Sequence, residues 1–126
     1  DLSPKTHHQE FYHLHLYYNS HQILQQEHEL NFRKAINPIV IEIAEISSIT
    51  DYMVIASMDS DRGVKALADY VNEKLKKDFK IKTLIDGVNT SGWIIIDTGQ
   101  IMIHLFHVDM REYYDLESLW NEGNRI

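Results

Sequence analysis

The chain has no cysteine among its 126 residues. That absence excludes disulfides, cysteine-rich zinc sites and thiol nucleophiles, and it fits a reducing compartment. No apolar run approaches the ~20 residues that a membrane-crossing helix needs. The N-terminus carries neither a signal peptide nor a basic amphipathic leader. It begins at Asp1 without an initiator Met, as a processed or trimmed chain would. Positive charge is also scarce. Twelve Lys and Arg stand against nineteen Asp and Glu, a formal net charge of −7. General nucleic-acid affinity rests on neutralising phosphates. Little direct nucleic-acid contact is therefore expected, and a basic protein is the better-matched partner. The local exception, "EKLKKDFKIK" at 73–82, reads as a solvated helix end, where lysines suit the dipole.

Hydrophobic residues at 44% and charged residues at 25% are enough for the core of one soluble domain. Residues 1–20, "DLSPKTHHQEFYHLHLYYNS", hold four histidines and four aromatics. They read as an N-terminal extension too apolar for a free tail, expected to pack on this domain or on another protein of the same complex. The domain itself is read as 21–126. Ile23, Leu24, Leu30 and Phe32 give 21–36 a helical pattern that Pro38 stops. "IVIEIA" (39–44) and "YMVIAS" (52–57) are predicted strands. Val64, Leu67, Ala68, Val71 and Leu75 fall on one face of a helix from 60 to about 78. "IKTLI" (81–85) is a third strand. "WIIID" and "QIMIHLF" form a hairpin, 93–97 and 100–106, around Thr98-Gly99. Asp109 with Glu112 has the form of a capping box that opens a C-terminal helical region containing 113–120. The fold class is α/β: one domain with a mixed sheet of about five strands flanked by helices.

Candidate chemistry is sparse. Asp59 and Asp61 lie where a strand gives way to a helix, a place where an Asp-x-Asp pair can hold metal beside a phosphate. A metal-dependent nucleotidyltransferase using these two acids is the enzymatic alternative. Yet no glycine cradle accompanies them, and Met58 precedes Asp59. The simpler reading is that Asp59 or Ser60 caps the helix while Asp61 sits in its first turn. His104 and His107, three apart in a strand, point to opposite faces and do not converge on a metal. No Gly-x-Ser-x-Gly elbow is present.

The hairpin is more informative. A Thr98-Gly99 turn sets Asp97 opposite Gln100, Ile95 opposite Met102 and Trp93 opposite His104. One face is then Ile94, Ile96, Ile101, Ile103 and Leu105, and should cover the core. The other is Trp93, Ile95, Asp97, Met102, His104 and Phe106, a mixture suited to a protein-binding surface. The competing reading is that a helix covers this face as well.

"SSITDYMVIAS", the spacing from Ser60 to Asp69, "GWIIID-x-G", "H-x-F" and "R-x-YY-x-LE-x-LW" occur in this order between Ile39 and Trp120. Together they resemble the ribosomal silencing factor (Iojap-like) family. The resemblance implies a nucleotidyltransferase-like fold without catalytic residues, no enzymatic activity and no cofactor. It implies binding to the large ribosomal subunit through universal large-subunit protein fourteen, which blocks joining of the small subunit, or a part in large-subunit assembly. By the same resemblance, Trp93 and Tyr114 lie at the contact with the ribosomal protein. Asp97, Met102, His104, Tyr113 and Glu117 complete the expected partner-binding set. Further assembly factors are expected on the extension, a homodimer of the free factor is compatible, and no membrane is involved. The setting is the mitochondrial matrix or the bacterial cytoplasm, with the extension leaning toward the former. The family usually has Gly at Met58, Gln at Gly63 and Gly-Asp at Gly99-Gln100.

Overall fold

The computed structural model describes residues 26, 30, 34–87 and 92–126. The extension 1–20 and most of the helix expected over 21–36 lie outside the described residues. Within that helix, Gln26 and Leu30 are helical and fully buried, a spacing that keeps both on one face. The chain then turns at Lys34, whose φ is 61°, and the Ala35 N–H donates to the Leu30 carbonyl.

Six strands form one sheet. They are β1 (Ile36–Glu42), β2 (Tyr52–Met58), β3 (Leu84–Asp86), β4 (Trp93–Asp97), β5 (Ile101–His107) and β6 (Asn124–Arg125), in the spatial order β3-β4-β5-β2-β1-β6. Only the central β2–β5 pair is parallel; the other four pairings are antiparallel. Among the described residues the sheet is joined by helices α1 (Asp61–Phe79) and α2 (Val108–Tyr114) and the helical turn α3 (Leu116–Leu119), besides the helical Gln26 and Leu30. The expected mixed α/β domain is what forms, with one more strand than expected. β6 is two residues long, too short for any alternation to announce it.

Three boundaries differ from expectation for identifiable reasons. β1 begins at Ile36 rather than 39, because Pro38 lies in a bulge between Ile36 and Ile39, with Asn37 at φ 47°. β3 covers 84–86 rather than 81–85. Ile81 instead closes the end of α1: Lys80 turns left-handed at φ 56°, and the Ile81 N–H reaches the Leu75 carbonyl. The hairpin turn is centred on Gly99-Gln100, so Asp97 pairs with Met102, Ile95 with His104 and Trp93 with Phe106. Thr98 sets this register. Its hydroxyl accepts from the Ile101 N–H and donates to the Ile101 carbonyl, and Gly99 supplies the φ of 96°. The pairing is displaced by two positions, and because side chains alternate with period two, the two faces keep their expected membership.

The first face carries Val40, Val54, Ala56, Ile94, Ile96, Ile101, Ile103 and Leu105. They pack on Val64, Leu67, Ala68, Val71 and Leu75 of α1, with Leu30 alongside. This is the main core, and it uses the five α1 positions that the spacing selected. The opposite face carries Ile41, Ile43, Met53, Ile55 and Phe106. Against them lie Met110, Leu116 and Trp120 from the C-terminal segment.

Candidate functional site

The second face divides at β5. Towards β1 it is closed by α2, α3 and Trp120. At β4 it stays open: Trp93, Ile95 and Asp97 are each only half-buried. The expected helical cover is therefore found over one half of this face, and the other half is left uncovered.

Aromatic rings cluster at the boundary. Trp93 stacks on Phe106 with centroids 4.9 Å apart and leans on Tyr114 at 4.6 Å. Tyr113 meets Tyr114 edge-on at 5.1 Å. Tyr113 is 78% exposed and Tyr114 46%, so the tyrosines extend the cluster to the surface; Leu119 of α3 is 69% exposed as well. Gly92 lets Trp93 enter the cluster. It has φ 86° and hydrogen-bonds His107 through its carbonyl, and a Cβ there would sit 2.8 Å from Met110 Cγ.

The predicted residues thus fall into three groups. Trp93, His104, Tyr113 and Tyr114 come together with Phe106. Asp97 and Met102 face each other further along the same margin, where Asp97 Oδ1 accepts from the Gly99 N–H at 2.8 Å. Glu117 turns inward. Its carboxylate takes both Arg111 Nε (3.2 Å) and Nη2 (3.3 Å), while Arg111 Nη1 donates to the Ile36 carbonyl and Ser57 Oγ. Arg111 is buried and Glu117 mostly so. The fork ties the β1 bulge, β2, α2 and α3 together, and so sets where the tyrosines stand. Arg111 was visible in "R-x-YY-x-LE-x-LW" but carried no pairing signal, because a spacing of six across a helix break matches no helical pair rule.

His104 is 4% exposed and its Nδ1 accepts the Trp93 Nε1–H at 3.1 Å. Burial lowers its pKa from 6.5 to about 4, partly offset by the negative charge of Asp97. The ring is therefore neutral under ordinary conditions. His107 lies in the same strand with opposite parity. It caps α2 by accepting the Asp109 N–H at 3.2 Å. The expected Asp109–Glu112 capping box is thus replaced by a histidine cap, because β5 runs into α2 without a loop and its last residue takes the capping position.

At the strand–helix junction, Ser60 is the N-cap of α1 and accepts the Gly63 N–H at 3.0 Å. Asp61 lies in the first turn. A Cβ on Gly63 would meet Met58 Cβ and Cε at 3.3 Å. The large residue at 58 and the small one at 63 thus fit each other, and Met58 packs against the main core. Among the described residues, no group of three His, Asp or Glu could hold a metal ion, and no helix is long and apolar enough to cross a membrane.

A family model described as "Ribosomal silencing factor during starvation" matches residues 19–126. The chain belongs to the ribosomal silencing factor family. It is 38% identical over 91 residues to "Ribosomal silencing factor RsfS" of Zymomonas mobilis, covering 72% of this chain and 68% of that protein. Mouse "Mitochondrial assembly of ribosomal large subunit protein 1" is 35% identical over 85 residues, 64% of this chain and 37% of that longer protein. A solved structure from Chromobacterium violaceum superposes with a TM-score of 0.76 at 29% identity, covering 81% of this chain and 85% of that one. One from Bacillus halodurans gives 0.70 at 28%, covering 84% and 97%. Relatives occur in bacteria and as mitochondrial proteins, and they lend no support to the lean towards mitochondria.

Proposed function

We propose that this chain is a binding factor of the large ribosomal subunit and not an enzyme. It docks on universal large-subunit protein fourteen and keeps the small subunit from joining, in translational silencing, in large-subunit assembly, or in both. The observation that carries this reading is the aromatic cluster of Trp93, Phe106 and Tyr114 at the open margin of the sheet, continued by exposed Tyr113. Large aromatics at the centre of a contact are its usual anchors. The net charge of −7 favours encounter with a basic ribosomal protein. Asp97 is the acid on this margin that meets such a partner. Glu117, engaged with Arg111, contributes mainly by holding the surface in shape. The names of relatives support the setting, since they refer to ribosomal silencing and to assembly of the mitochondrial large subunit. Ser60 caps α1, Asp61 lies in its first turn and Asp59 is exposed just before the cap, which supports the non-enzymatic reading. Residues 1–20 remain in this proposal a segment for further assembly factors.

The test is co-sedimentation with free large subunits, comparing Trp93→Ala with Ile95→Ala after circular dichroism has verified both folds. Trp93→Ala is expected to lose roughly 2–4 kcal/mol of binding, a ~30- to 1000-fold weakening. Ile95→Ala should lose less. A folded Trp93→Ala protein that binds as wild type does would put the surface elsewhere.

A further inference from the structure

We infer that His104 is a positioning residue: it fixes the Trp93 indole in one orientation by accepting its N–H, so that Trp93 presents only its ring to a partner. The inference rests on the proposed docking surface and goes beyond it by assigning a role to a residue that a partner cannot reach.

Three contacts define the arrangement. Phe106 stacks under the indole, Tyr114 leans on it, and His104 Nδ1 takes its N–H at 3.1 Å. The two ring contacts alone leave the indole free to slide or flip, because stacking tolerates both. The hydrogen bond removes that freedom, since it aims one edge of the ring inward. It also dictates the histidine tautomer. An Nδ1 that accepts must lack a proton, so the neutral ring carries its proton on Nε2. That nitrogen is buried and has no partner among the described residues. An unmet buried donor is costly, and a leucine or phenylalanine at this position would remove the cost. What the imidazole provides in return is the acceptor for Trp93.

The recognition chemistry follows. With its N–H consumed inside the molecule, Trp93 has no donor to offer. A partner pocket for it is lined by apolar groups or by a cation above the ring, not by a hydrogen-bond acceptor. Pre-ordering the side chain also spares the complex the entropy of ordering it.

The test begins on the unmodified protein. Nitrogen-15 NMR should find His104 in the Nε2–H tautomer at neutral pH. The Trp93 indole N–H, told from that of Trp120 with a Trp120→Phe sample, should exchange slowly with water. A proton on Nδ1, or indole exchange as fast as in an unfolded chain, would overturn the inference. Two variants follow. His104→Asn can place its Oδ1 near the Nδ1 position and should keep the slow exchange. His104→Leu should lose it, and should bind large subunits roughly three- to tenfold more weakly, the cost of ordering one side chain. Wild-type affinity in His104→Leu together with an unchanged indole signal would also overturn it. Should the leucine variant not fold, the wild-type tautomer and the asparagine variant still decide the matter. A wild-type protein that ignores large subunits would sink the docking proposal, while the tautomer and exchange data would still settle what His104 does to Trp93.

Discussion

On one side of the sheet, Ile94, Ile96, Ile103 and Leu105 lie fully buried beneath a 19-residue helix. On the other, the alternate residues of the same two strands are Trp93, Ile95, Asp97, Met102, His104 and Phe106, and half of that surface stays open. The first face is uniform in chemistry and satisfied by packing alone. The second is held by directional contacts: an indole–imidazole hydrogen bond, stacked rings, and a guanidinium that ties four elements together. Apolar packing tolerates substitutions that conserve volume, whereas a polar network fails when one member is removed. The two faces should therefore break in different ways.

The largest effect is expected on the closed face. Ile103→Ala should cost about 2–5 kcal/mol in chemical denaturation, as buried large-to-small changes do. Ile95→Ala, half-buried on the open margin, should cost well under half as much. Equal costs would mean that the margin is as tightly packed as the core.

Next comes the network. Arg111→Met leaves Glu117 without its cation and Ser57 Oγ without a donor, while the Ile36 carbonyl keeps only the Ser57 hydroxyl, so a loss of about 3 kcal/mol is expected. Arg111→Met combined with Glu117→Leu should recover much of it, since no charge is then stranded. Losses that simply add would show that the fork is not a coupled unit.

A comparable but pH-dependent effect belongs to His104. Its folded pKa, about 4, lies below the ordinary 6.5 because the charged ring would lose its solvation; Asp97 opposes that shift. As pH falls through 6.5, the unfolded chain takes up a proton that the folded protein refuses. Stability should therefore decline from about pH 6.5 to about pH 4 and level off below, a contribution of roughly 3 kcal/mol in all. Subtracting the curve of His104→Phe removes the carboxylates common to both proteins. A flat difference across this window would show that the ring is not buried neutral.

What the sequence revealed follows the same division. Helix α1 was legible because five apolar residues recur at helical spacing and all five meet the core. The hairpin faces were legible because alternation survives a register displacement of two. The register itself was not, since it depends on the Thr98 hydroxyl bonding both backbone groups of Ile101. Nor was the Arg111–Glu117 fork, which reaches across the break between two short helices, or the capping role of His107, which depends on a strand running straight into a helix. Trp93 and Tyr114 could be picked out from the motifs, but that they touch is a product of tertiary folding. Short-range periodicity thus describes the closed face well, while the open face is built from contacts between residues distant in sequence.

The smallest effect concerns the acids that first suggested an enzyme. If α1 needs only a cap, its stability should depend on Ser60 more than on either aspartate. The Ser60 hydroxyl accepts the Gly63 N–H, whereas Asp59 and Asp61 are exposed. Ser60→Ala should cost about 1 kcal/mol, the usual value for an N-cap. Asp61→Asn should cost a few tenths, about 0.3–0.5 kcal/mol, from the lost first-turn charge, and that loss should shrink in high salt. Asp59→Asn should cost no more. Asp61 Oδ1 lies near Gly92, but neither aspartate is bonded to the aromatic cluster, so the double variant Asp59→Asn/Asp61→Asn should co-sediment with large subunits nearly as wild type does. A well-folded double variant that has lost binding would move the functional surface to the strand–helix junction, and a nucleotide titrated with magnesium would then show whether the junction holds a ligand. If the cap account is right, that titration releases no heat in wild type or variant, and the junction is a helix start whose charges suit its dipole.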